Sequence, residues 1–183
     1  MTKTNDHTTP LWIFGYGSLV WDPGFTPAEA VPARLDGWHR SFCMRSIHFR
    51  GTVEKPGLVL ALDAQPGAHC WGVALRVAEE DREAVLAETR ARELVSDAYL
   101  EKRLPVTLQD GREVETVTYV IDRAGPQYCQ IGAEEQAQII ATAVGGRGPN
   151  RDYLFNTAAH LAEWGLEDED LVALATRVRA LIG

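Results

Sequence analysis

The chain has 183 residues, 45% of them hydrophobic, which is enough for one buried core and too few to make two domains the expectation. A formal net charge of −8 argues against nucleic acid and acidic membrane surfaces as partners, yet leaves a small anionic substrate open, because a site's own donors outweigh total charge. Cys43, Cys70 and Cys129 are odd in number and form no CxxC pair, which argues against a disulfide framework or zinc knuckle and fits a reducing cytosol.

Residues 1–10 are polar and lack an apolar h-region, so they read as a loose tail, neither signal peptide nor membrane anchor, ahead of a single domain over 11–183. Leu11-Trp12-Ile13-Phe14 is then an uninterrupted apolar run of β-formers, the pattern of a buried strand. Gly15 and Gly17 flank Tyr16 and Ser18 follows, so the strand ends in a bend whose backbone N–H groups can approach an anionic or carbonyl oxygen. A dinucleotide fingerprint needs a third glycine and an immediate long helix, which Pro23 and Gly24 oppose. GxxxxGK[ST] is absent, and Ser18 does not sit in a GxSxG elbow.

Asp22 to Asp36, with Pro23, Pro27 and Pro32, reads as irregular connection, and Arg40 to Phe49 as a strand with mixed faces. On such a strand His39 and Cys43 share a face that His48 does not, which argues against a metal site. Arg50 to Gly57 is turn-rich and reads as an exposed loop, followed by strands at Leu58 to Leu62 and Cys70 to Val77. Gly72 weakens the second of these or lets another backbone come close. Glu79 to Arg92 favours helix by propensity and by its acidic start and basic end, and places Glu93 where the helix stops.

Asp110-Gly111 between Arg103 to Gln109 and Arg112 to Ile121 is the strongest hairpin signal. The last third is helical: Ala133 to Val144, an interruption at Gly145 to Pro149, Arg151 to Trp164 behind Asn150 as a natural N-cap, and Asp170 to Ile182. Leu154, Ala158 and Leu161 mark the inward face of the second helix, and Leu171, Leu174, Ala175, Val178, Leu181 and Ile182 that of the third. The fold class that follows is α+β, an antiparallel-rich, curled sheet with helices packed over it.

LWIFGYGSL at Leu11 to Leu19, GWHRSFC at Gly37 to Cys43, Arg50-Gly51-Thr52 with Pro56-Gly57, Trp71-Gly72-Val73-Ala74, Arg92-Glu93 followed by Tyr99, and NRDYL at Asn150 to Leu154 stand in an order and spacing that resembles the ChaC-like γ-glutamylcyclotransferases over nearly the whole chain. The resemblance implies a mixed sheet curled into a small barrel with packed helices. It also implies a glutathione-specific enzyme converting glutathione to 5-oxoproline and cysteinylglycine, without metal or cofactor, and with the cysteine usage above this reads as a cytoplasmic activity. By position, Phe14, Gly15, Tyr16, Gly17, Ser18 and Leu19 match the family's γ-glutamyl-binding loop, and Glu93 its catalytic glutamate. Family members often carry Gly where this chain has Asp97 in Asp97-Ala98-Tyr99, an added carboxylate with a bearing on turnover or substrate fit.

In the implied reaction the substrate's α-amine attacks its own γ-carbonyl, so no enzyme nucleophile is required. An α-amino group titrates at about 8 in reference compounds, so a base must free it, and an acid must protonate the leaving nitrogen. One carboxylate between the two nitrogens suffices, and burial should raise its pKa to suit both tasks. On charge pattern alone Glu93 reads as an exposed helix-end acid paired with Arg90 or Arg92, because surface acids far outnumber catalytic ones, and it is the resemblance that reverses this reading. Arg50, Tyr99, Tyr128, Arg40 and Arg45 stay undecided between site and scaffold. A cyclotransferase for other γ-glutamyl compounds and a non-catalytic regulatory module on the same fold are the competing readings. Oligomeric state is unknown from the sequence.

Overall fold

The apolar run at the start becomes β1, Trp12–Gly15, buried along its whole length. In this computed structural model, which describes residues 9–183, five strands close into a barrel in the order β1-β3-β2-β4-β5. Most of the polar segment expected as a loose tail lies outside the described residues. Closure is made by a parallel pairing of β1 with β5 at Trp12↔Thr116 and Ile13↔Val117, so the sheet is mixed though mostly antiparallel.

The barrel's largest part is a long antiparallel pair, β2 (Glu29–Ser46) against β3 (Gly57–Arg76). Here the expectation of irregular chain up to Asp36 is corrected. Prolines discourage a strand only where their missing N–H is needed, and Pro32 serves by accepting at its carbonyl from the Gln109 N–H at 2.8 Å. The strands expected separately at 58–62 and 70–77 are likewise one. The register of β3 against β2 jumps between Trp38↔Ala64 and Asp36↔His69, around Gly37 and Gly67, which both take positive φ. Such irregularities bend and twist a long pair, which lets it wrap into a barrel. Gly72 admits the close approach its position suggested, since a Cβ there would collide with the Gly15 carbonyl of β1.

A 3-10 turn at Glu79–Asp81 leads into α2, Arg82–Glu93. β4 (Tyr99–Leu108) and β5 (Glu113–Ile121) form the expected hairpin, with Gly111 at φ +93° in its turn. Then come α3 (Ala133–Thr142), a short strap of two paired strands, β6 (Val144–Gly145) and β7 (Gly148–Pro149), α4 (Asn150–Glu163) and α5 (Glu169–Ile182). α5 is capped by the Asp168 carboxylate, which accepts from the Asp170 and Leu171 N–H groups. Its inward stripe holds from Leu171 to Val178, whereas Ile182 at the end of the helix is exposed. Leu154 and Leu161 of α4 are fully buried. Among the described residues no helix is long and apolar enough to cross a membrane.

Asn150 is corrected from its expected role. Pro149 stands at the cap of α4, and the fully buried Asn150 side chain instead accepts from the Leu58 N–H and donates to the Leu58 carbonyl, both at 2.8 Å. It imitates a neighbouring strand along an edge of β3. Two residues on, Leu60 is completed the same way: its N–H donates to the Tyr153 hydroxyl at 3.1 Å and its carbonyl accepts from the Tyr99 hydroxyl at 2.7 Å. This stitching fixes α4 and the start of β4 against β3, where the cavity opens.

Candidate active site

Glu93 is the last residue of α2, and its side chain, 13% exposed, lines a cavity of about 400 Å³. Burial raises its pKa above the ordinary glutamate value, and the positive charges of Arg92 and Arg147 act against that rise. Of the exposed helix-end reading, the neighbouring cation holds and the exposure does not: Arg92 Nε lies 3.6 Å from Glu93 Oε1, while Arg90 pairs with Glu101 through two bonds of 2.9 Å. A carboxylate held from water but left proton-labile is suited to moving protons near neutral pH.

Arg92 joins Glu93 to the glycine loop. Its guanidinium donates to Ser18 Oγ at 2.9 Å and to the Asp22 carbonyl at 2.5 Å. Ser18 opens the single-turn α1 (Ser18–Trp21) directly after Gly17 and lines the cavity. Because its oxygen already accepts from Arg92, its own hydroxyl proton is available to an acceptor in the cavity. First-turn N–H groups of a helix lack intrahelical acceptors, and of the glycine loop Ser18 alone lines the cavity.

The rest of the expected binding loop lies behind this wall. Phe14, Gly15, Tyr16, Gly17 and Leu19 are buried and do not line the cavity. The Tyr16 hydroxyl donates to the Tyr119 carbonyl at 2.6 Å, and the Tyr16 carbonyl accepts from Arg40 Nε at 2.8 Å. Arg40 is buried and bound also to Asp168 at 2.8 Å and to the Trp71 carbonyl, so it belongs to the loop's support. Gly17 must lack a side chain, because a Cβ would stand 2.9 Å from Tyr153 Oη.

The facing wall comes from β2, β4 and α4. Tyr153 and Tyr99 line the cavity with phenols that burial keeps protonated. Tyr153 Oη accepts from Leu60, which leaves its O–H to donate inward. Arg50 also lines the cavity. Its loop was expected to be exposed, and Thr52 to Lys55 are, but Arg50 itself is 7% exposed, with its N–H on Ser46 Oγ and its guanidinium on the Pro149 carbonyl at 3.2 Å. Composition reported the loop's tip; the strap over its base buries the arginine. Desolvation lowers the Arg50 pKa, and no carboxylate pairs with it among the described residues.

Tyr128 lies outside the cavity, donating to Asp63 at 2.9 Å, and Arg45 does not line it. Asp97 is exposed and off the cavity, although Val95, Ser96 and Tyr99 around it reach the wall, so its carboxylate is not placed beside Glu93. His48 lines the cavity, Cys43 is buried, and His39 faces Asp170 at 3.9 Å; among the described residues no three His, Cys, Asp or Glu side chains converge as metal ligands. Sequence reasoning left Arg92, Tyr153 and Arg147 without roles. Arg92 and Tyr153 stood inside the quoted motifs; Arg147, on the strap, gave no signal. The wall thus carries three guanidinium groups, Arg50, Arg92 and Arg147, against the carboxylates of Asp22 and Glu93, a local positive excess on an acidic protein.

A family model described as ChaC-like protein matches residues 11–181. The glutathione-specific gamma-glutamylcyclotransferase of Escherichia coli (strain K12) is 38% identical over 174 residues, covering 94% of this chain and 74% of that protein. The protein of the same name from Schizosaccharomyces pombe is 32% identical over 191 residues, covering 92% and 91% respectively. Among solved structures, the yeast gamma-glutamyl cyclotransferase specific to glutathione superposes with a TM-score of 0.85 at 21% identity, covering 94% of this chain and 97% of that one, a likeness of fold.

Proposed function

The chain belongs to the ChaC-like family, and from that premise we propose how it acts as a glutathione-specific γ-glutamylcyclotransferase, with Glu93 as the general acid–base. The observation that carries the residue assignment is the junction at the end of α2: a water-shielded carboxylate and the Ser18 loop share one cavity and are tied through Arg92.

Glu93 takes a proton from the substrate's α-ammonium, and the freed lone pair attacks the γ-carbonyl to form the ring C–N bond. The carbonyl oxygen becomes negative in the tetrahedral state. The hydroxyls of Ser18 and Tyr153, each already fixed as an acceptor and so aimed as a donor, together with the loop N–H groups, answer that charge or the α-carboxylate, roughly 3–4 kcal/mol per well-placed donor. Collapse breaks the peptide-like C–N bond as Glu93 returns a proton to the departing cysteinyl nitrogen, and the second proton left on the new ring nitrogen follows to that amine, leaving a neutral lactam and an ammonium product. Folding an extended γ-glutamyl chain so that amine meets carbonyl draws on the roughly 7–11 kcal/mol available from positioning. Phe14, Gly15, Tyr16, Gly17 and Leu19 serve this by setting the loop's shape. Arg50, buried and without an acidic partner among the described residues, receives a substrate carboxylate.

No step calls for a metal or cofactor, and the three unbridged cysteines suit reaction in the reducing cytoplasm. The test is release of 5-oxoproline by the purified protein from glutathione and from a panel of other γ-glutamyl compounds. Turnover of the panel at rates equal to glutathione would refute the substrate assignment, and binding without ring closure on any of them would refute the enzyme.

A further inference from the structure

The strap between α3 and α4 is locked onto the end of β2's loop. The Gly146 N–H donates to the His48 carbonyl and the Arg147 N–H to the Phe49 carbonyl, both at 2.8 Å. A Cβ at Gly145 would collide with the backbone of Phe49, Arg50 and Gly51, so the strap packs closely against the loop. Arg147 leaves this anchored backbone and lays its guanidinium over the Phe49 ring, 4.5 Å from the centroid. It lines the Glu93 cavity, is exposed on its open side, and pairs with no carboxylate among the described residues, whereas Arg92 lies within 4 Å of both Asp22 and Glu93.

We infer that Arg147 is a substrate-binding residue that takes a carboxylate of the bound γ-glutamyl peptide and so contributes to selection for acidic, doubly carboxylated substrates. This rests on the function proposed above. Glutathione has two carboxylates, one on the glutamyl head and one on the terminal glycine, and among the described residues the cavity has two guanidinium groups without acidic partners, Arg50 inside and Arg147 at the rim. Stacking on Phe49 restricts the guanidinium before substrate arrives, which limits the ordering cost of a planar, two-bonded contact. Its field also reaches Glu93, where it favours the ionised form, so the charge that holds substrate helps keep the base ready.

Arg147→Gln should raise the KM for glutathione by roughly ten- to a hundredfold, the range for losing a charge-assisted hydrogen bond, and Arg147→Lys should fall between it and the native enzyme. Glutathione amidated at its glycine carboxylate locates the partner. If the Arg147→Gln penalty vanishes on the amide, the glycine carboxylate is held; if it persists, the head carboxylate is, and either result supports the inference. A glutathione KM for Arg147→Gln within twofold of the native value, or Arg147→Lys as impaired as Arg147→Gln, would overturn it. Equilibrium binding of glutathione to Glu93→Gln with and without Arg147→Gln repeats the comparison without turnover. Failure of the native enzyme to release 5-oxoproline would therefore count against the proposed function alone.

Discussion

Glu93→Gln separates chemistry from folding because the surroundings of the carboxylate remain satisfied when its charge is removed. Arg92 keeps its bonds to Ser18 Oγ and the Asp22 carbonyl and stays 3.9 Å from the Asp22 carboxylate, so no buried cation is orphaned. Shape and volume are conserved, and the cost of holding an ionised group away from water disappears. Stability should therefore be unchanged or slightly raised at neutral pH. Because the Glu93 pKa is raised in the folded state, the native protein loses stability as pH rises through that value. The variant's advantage accordingly fades at pH below the ordinary glutamate range. Catalysis should behave oppositely. General acid–base help from one group is worth about 10²- to 10⁴-fold, or ~3–5 kcal/mol of barrier, and here the same group serves both proton transfers. Turnover measured as 5-oxoproline release should fall by at least about a hundredfold with little change in KM, alongside an unaltered thermal transition. A correctly folded Glu93→Gln protein that works within a few-fold of the native rate would refute the assignment of the base.

The acid limb of the native pH–rate profile should lie above the ordinary glutamate range, since activity is lost as pH falls through the raised Glu93 pKa, and Arg147→Gln should move that limb to higher pH by removing an opposing positive charge. A limb at the ordinary value, unmoved in the variant, would argue that another group titrates. Asn150→Ala strips partners from both buried backbone groups of Leu58 and should cost ~2–5 kcal/mol, read as a lower midpoint in urea at constant slope. Gly145→Ala forces the strap off the backbone of Arg50 and Gly51, an overpacking worth about 1–3 kcal/mol that should lower the thermal midpoint by several degrees.

Local signals in the chain were reliable where local physics decides the outcome. The apolar run at Leu11, the Asp110-Gly111 turn and the acid-first, base-last helix ending at Glu93 all form as their residue types require. Misreadings arose where a distant partner changes what a residue is worth. Prolines in 22–36 suggested loop, but Pro32 sits where only its carbonyl is used. Asn150 had the chemistry of a cap and spends it on Leu58, 92 residues away. The RGT loop had the composition of a surface turn, yet the strap buries its arginine. Glu93 could be singled out by motif, whereas Arg147 could not, because the strap and the helix end meet only in the folded chain.

The burial of the cysteines has a consequence for the proposed action on a substrate that carries a sulfhydryl. Cys43, Cys70 and Cys129 are each raised in pKa by burial, Cys43 to about 12, and none lines the cavity. Thiol exchange needs an attacking anion, and at neutral pH these sulfurs supply almost none. A disulfide such as oxidised glutathione therefore meets almost no thiolate on these three cysteines with which to form a mixed disulfide, which suits the activity proposed above.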